Sequence, residues 1–118
     1  MVKVESNFTL KDLIDFAKSK YEAFNVKSKN RTYAYYRQVA SLVAIEGGYR
    51  LSLIAKALGV SHPTIIWSRD VGASRLASRD EKFVACYTDF VNKFNEYLTE
   101  KALHELSTPV NSGESIDS

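Results

Sequence analysis

One cysteine, Cys86, stands in the whole chain, so no internal disulfide can form. No second cysteine or histidine lies at zinc-ligand spacing from it, and no metal is expected. Its apolar, helix-patterned surroundings make Cys86 a core residue. There is no apolar run long enough for a signal peptide or a membrane-spanning helix. That predicts a soluble protein of a reducing, cytoplasmic compartment with no membrane partner. No segment alternates apolar and polar residues with a period of two between turn signals, which argues against a sheet. No internal repeat is found. Catalytic arrangements are missing as well. His62 and His104, the two histidines, fall on different elements, and no carboxylate cluster or nucleophile–base pair stands out. No glycine-rich phosphate loop closes on Lys and Ser/Thr. Neither an enzyme nor a cofactor is expected.

What is present is a core-sized supply of apolar residues and an uneven charge. The 118 residues, 45% apolar and 12% aromatic, suffice for one domain. A net charge of +2 conceals a basic segment: Lys27, Lys29, Arg31, Arg37, Arg50, Lys56 and Arg69 stand against one acid, Glu46. That stretch carries +6 and the remainder of the chain −4. Such a stripe either faces a polyanion or is a solvated surface with chance clustering, and charge alone leaves both open.

The apolar pattern is helical throughout. Ser6 or Asn7 can cap a first helix from about Thr9, with Leu10, Leu13, Ile14, Ala17, Tyr21 and Phe24 at helical spacing. Asn25 to Asn30 reads as a polar, basic loop. A second helix runs from about Arg31 to Glu46 and stops at Gly47-Gly48. The third, Leu51 to Leu58, is closed by Gly59. Ser61 offers an N-cap oxygen and Pro63 falls in the first turn of a fourth helix that extends toward Leu76. Ser78 or Asp80 restarts the chain into a long last helix, where Phe83, Tyr87, Phe90, Phe94 and Leu98 form an amphipathic stripe. The expected architecture is all-α, with five helices forming a domain over residues 1–106. A disordered tail is expected over 107–118.

Leu51 to Trp67, LSLIAKALGVSHPTIIW, has the parts of a helix-turn-helix. The first helix is short, and Ile54 and Ala55 give it an apolar face with a small residue. Gly59 supplies the turn, and Val60 can plug the angle between the helices. The second helix opens with small polar residues, as an end that enters the major groove requires. Ser61, His62 and Thr64 can all hydrogen-bond to base edges there, and the Thr64 methyl can touch a thymine methyl. An ordinary helical hairpin with a glycine turn is the plainer alternative.

Four further pieces stand in order: Lys29-Asn30-Arg31, Arg37-Gln38-Val39-Ala40, Leu51-Ser52-Leu53-Ile54-Ala55 and Ser61-His62-Pro63-Thr64-Ile65-Ile66-Trp67-Ser68, with Arg79-Asp80-Glu81-Lys82-Phe83 beyond them. In this order and spacing, residues from about Thr9 to Leu98 resemble the C-terminal DNA-binding domain (domain IV) of the bacterial replication initiator DnaA. The closest likeness is to the DnaA C-terminal-like domains of phage and Bacteroidetes-type proteins. The resemblance implies a helix-turn-helix fold of the Trp-repressor and DnaA domain IV kind, binding double-stranded DNA. It implies that Lys29 and Arg31 reach the adjacent minor groove and that Arg37 and Gln38 hold phosphates. Ser52 takes the place of a base-touching proline, and His62 and Thr64 match base-reading residues. Trp67 stands where the family has a phosphate-contacting histidine. Ser61 replaces an aspartate and Pro63 a threonine, so a site other than the DnaA box is expected. The ATPase module is absent, so the resemblance implies DNA binding and not initiator activity.

The expected function is sequence-specific duplex binding, with the fourth helix in the major groove and Arg37, Gln38, Lys56 and Arg69 on phosphates. Its use would be replication or transcription control of a phage or mobile element. The alternative is a protein–protein adaptor on a helix-turn-helix scaffold that has lost DNA affinity. Single residues keep their plainer roles beside these. His62 can be a helix-start residue only, Trp67 can be core, and Arg37 can pair with Glu46 or another acid. Tyr33, Tyr35 and Tyr36 cannot all face inward. The stripe on the last helix is core, or the face of a homodimer or a protein partner.

Overall fold

The computed structural model describes residues 2–107. Five α-helices follow one another: α1 (Leu10–Lys20), α2 (Arg31–Glu46), α3 (Leu51–Leu58), α4 (His62–Ala77) and α5 (Glu81–Ser107). A single 3-10 turn, Glu22–Phe24, lies between α1 and α2. Among the described residues there is no strand. α5 therefore takes in Ser107, one residue of the stretch expected to be tail; residues 108–118 lie outside the described residues.

α1 begins one step later than expected. Its N-cap is Thr9, not Ser6 or Asn7. The Thr9 hydroxyl accepts from the Asp12 amide at 3.0 Å, and the Asp12 carboxylate accepts from the Thr9 amide at 3.2 Å. This reciprocal pair satisfies two otherwise orphaned donors. α1 also ends earlier than Phe24. Tyr21 is extended (φ −130°, ψ 125°), because its ring leaves the helix to stack on Tyr36 and Phe90, with centroids at 4.4 and 5.5 Å.

α2 is the centre of the fold. Gln38, Val39, Ala40, Ser41, Leu42, Val43 and Ala44 are all buried, so this stretch has no solvent face. α4 and α5 pack on it, and α1 and α3 complete the enclosure. Gly72 lets α4 approach: a Cβ there would meet Leu42 Cδ1 at 2.9 Å. α5 starts at Asp80, whose carboxylate accepts from the Phe83 amide at 3.1 Å, which decides between the two candidate caps. Phe83, Tyr87, Phe90, Phe94 and Leu98 are buried, so the α5 stripe is core. Phe16 packs against Phe90 and Phe94 with centroids near 5 Å (5.2 and 5.0 Å). The stripe expected as a candidate dimer face is thus covered, and only Leu103 and Leu106 remain as large exposed apolar residues on α5. Cys86 is buried, as its surroundings predicted.

One polar cluster ties three elements together. Asp89 on α5 accepts from Tyr21 Oη at 2.7 Å and Tyr36 Oη at 2.9 Å, and pairs with Lys93 at 3.1 Å. Burial works to raise the Asp89 pKa, but the hydrogen bonds from Tyr21, Lys93 and Tyr36 outweigh it and hold the carboxyl below its usual 3.8. A depressed folded-state pKa makes the contribution complete above that value and loses it as pH falls below. Thermal melts from about pH 6 to about pH 2 should show this acid loss, and Asp89→Asn should flatten it. Phe90→Ala removes a fully buried ring and should cost about 3–5 kcal/mol in urea denaturation.

Candidate nucleic-acid interface

The α3–α4 unit forms as the sequence predicted. Ile54 and Ala55 face the core, and Gly59 closes α3 in the left-handed region (φ 71°), where any Cβ is strained. The Val60 amide returns to the Ala55 carbonyl at 2.9 Å. Ser61 caps α4: its hydroxyl accepts from the Thr64 amide at 3.3 Å. Ser61 Oγ and Thr64 Oγ1 also bond each other at 2.7 Å. Val60 does not plug the angle between the helices; it is 40% exposed. Ile54 and Ala55 of α3 and Ile65 of α4 are the buried apolar residues of this unit.

The loop from Asn25 to Asn30 is held from beneath by Arg37. Its Nε donates to the Ala23 carbonyl at 2.9 Å, one Nη to Ser28 at 2.9 Å and the other to Val26 at 2.8 Å. Three of the five guanidinium N–H groups are therefore engaged with backbone. Arg37 makes no pair with Glu46, which instead accepts from Tyr87 Oη at 2.8 Å. Asn25 closes α1 by donating to the Lys18 carbonyl at 2.8 Å. Asn30 caps α2 by accepting from the Thr32 amide at 2.8 Å and the Tyr33 amide at 3.3 Å. A loop so fastened presents Lys27 and Lys29 from a fixed base.

Between this loop and the α3–α4 turn lies an open groove of about 730 Å³. Lys18, Lys27, Lys29 and Lys56 line it, with Arg37 at its floor. Val26, Leu58, Val60 and Trp67 give it apolar walls, and Ser28 and Thr64 contribute polar atoms. No Asp or Glu lines it among the described residues. Among the described residues none of the four lysines forms an ion pair; the paired cations there are Lys11, Arg69, Lys93 and Lys101.

The groove gathers Lys29, Arg37, Gln38, Lys56, Thr64 and Trp67 of the sequence-predicted residues. Trp67 is 56% exposed and therefore not core. Arg31, Ser52, Ser61, His62 and Pro63 are exposed outside the groove. Arg69 is half-buried and pairs with Asp70 at 3.0 Å. Gln38 corrects the expectation of a phosphate clamp. It lies at the bottom of the groove but is only 3% exposed, and its Oε1 accepts from Arg75 at 3.1 Å, so it serves to join α2 to α4. Tyr35 is buried under Arg75, whose guanidinium carbon lies 4.7 Å from the ring centroid, and Tyr36 is held by Asp89. Only Tyr33 of the three remains clear of these contacts. Sequence reasoning missed Lys18 and Val26. Lys18 closes a different helix, and only the fold brings it to the loop.

Arg37→Lys keeps the charge and loses the fork. It should destabilise the protein by about 2–3 kcal/mol and speed amide hydrogen exchange around Val26–Asn30, with little change in α5.

Among the described residues no group of three or more His, Cys, Asp or Glu could hold a metal ion, and no helix is long and apolar enough to cross a membrane. No known protein family, curated protein or solved structure matches the chain.

Proposed function

We propose that the protein binds double-stranded DNA sequence-specifically, with α4 in the major groove and the Asn25–Asn30 loop at the neighbouring minor groove. One observation carries this reading. Lysines from three separate elements converge on a groove without a carboxylate, directly beside the first turn of a helix-turn-helix. Mutual repulsion makes such a cluster unfavourable unless a polyanion neutralises it. A duplex laid against α4 would send one phosphodiester strand along the groove, with Lys18, Lys27, Lys29 and Lys56 on its phosphates. Arg37 would act mainly by holding the loop. Arg31, beside Lys29, would enter the minor groove, where narrow, electronegative stretches favour arginine. The resemblance to the DnaA C-terminal domain points the same way, and suggests replication or transcription control of a phage or mobile element as the use.

The test is fluorescence anisotropy of the full chain with a random-sequence duplex pool at two salt concentrations. Binding should weaken steeply with salt. Lys27→Ala, Lys29→Ala, Lys56→Ala and Lys18→Ala should each lower affinity evenly across sequences. Each should also make the salt slope shallower by about one unit. Absence of binding at low salt would contradict the proposal and favour the protein adaptor.

A further inference from the structure

The groove accounts for phosphates, and leaves open what the exposed face of α4 reads. By helical period, Pro63, Ile66, Trp67, Asp70 and Ser74 share that face. It carries no Arg, Lys, Asn or Gln, the side chains that grip guanine or adenine through two hydrogen bonds. The two arginines of α4 are engaged elsewhere: Arg69 with Asp70 at 3.0 Å, and Arg75 with the buried Gln38 at 3.1 Å. The Ser61 and Thr64 hydroxyls bond each other. Ile66 and Trp67, in contrast, are 36% and 56% exposed among the described residues. Leu53 and Val60 of the same unit are exposed as well.

Resting on the duplex-binding reading, we infer that α4 recognises its site mainly by apolar contact with thymine C5-methyl groups, through Ile66 and Trp67. The flanking lysines supply attraction to the backbone, which explains how an apolar face can be presented to so polar a partner. In the major groove the thymine methyl is the one apolar group a base pair offers. Asp70 sharpens the preference. One carboxylate oxygen is held by Arg69; the other can accept from a cytosine or adenine amino group, but it meets guanine N7 and O6 as acceptor against acceptor. Sites rich in thymine and poor in guanine on the strand beneath Ile66 follow.

The experiment begins by selecting the preferred duplex from a random pool with the full chain. The selected site is then remade with deoxyuridine replacing thymidine one position at a time, which removes the methyl and leaves the pairing edge intact. Each methyl under Ile66 or Trp67 should be worth about fourfold in Kd, the factor expected for burying one carbon. Ile66→Ala, an exposed change, should keep the fold and bring the thymine-to-uracil ratio toward one at its own position only. Equal binding of thymine and uracil duplexes at every position, or binding without sequence preference, would overturn the inference while leaving duplex binding intact. No binding to any duplex is a separate result, and would remove the DNA-binding reading itself.

Discussion

The enclosure of α2 is the constraint on which the remaining structure depends. From Gln38 to Ala44 the helix has no face left for solvent. Polar groups at its edges are therefore drawn into internal work: Gln38 takes Arg75 of α4, Tyr36 takes Asp89 of α5, and Arg37 takes one carbonyl of the 3-10 turn and two of the loop that follows it. A buried polar group is tolerated only when it is bonded, so each of these links also fixes the element it reaches. α4 and the basic loop are thus referenced to the same rigid rod. That common reference is what gives the groove between them a defined shape.

The same enclosure moves function outward. With the aromatic stripe of α5 and most of α2 inside, the surface left for recognition is the loop, the end of α1 and the outer side of the α3–α4 unit. Among the described residues these carry lysines outside any ion pair and exposed apolar side chains together. Electrostatics of that kind gives reach and on-rate without discriminating one sequence from another, since phosphates are alike. On the proposed reading, discrimination falls to the α4 face, by methyl contact in place of hydrogen-bond readout.

Much of this was legible in the residues. Glycine at Gly59, the Ser61 cap and the apolar period of α5 are local signals, and local chemistry decided them. The first helix differs from the sequence reading at each end for its own reason: the Thr9–Asp12 capping box sets the start, and Tyr21, though at helical spacing with Phe24, leaves the helix for a tertiary stack that no spacing shows. The site was legible only in part. Lys29, Lys56, Thr64 and Trp67 meet on the groove, whereas Gln38 lies buried at its bottom and is bonded to Arg75, because helix neighbours, not its own polarity, set its side of α2. Lys18 joins the groove across a chain reversal, and a one-dimensional charge count places it outside the basic stripe.

The most direct measurement is a backbone amide chemical-shift titration of the full chain with its selected duplex at low salt. The account predicts that shifts concentrate at Lys18, Val26–Asn30, Lys56 and Gly59–Asp70, with α5 beyond Leu98 unmoved. Shifts centred on Leu103 and Leu106, or a spectrum indifferent to DNA, would contradict it.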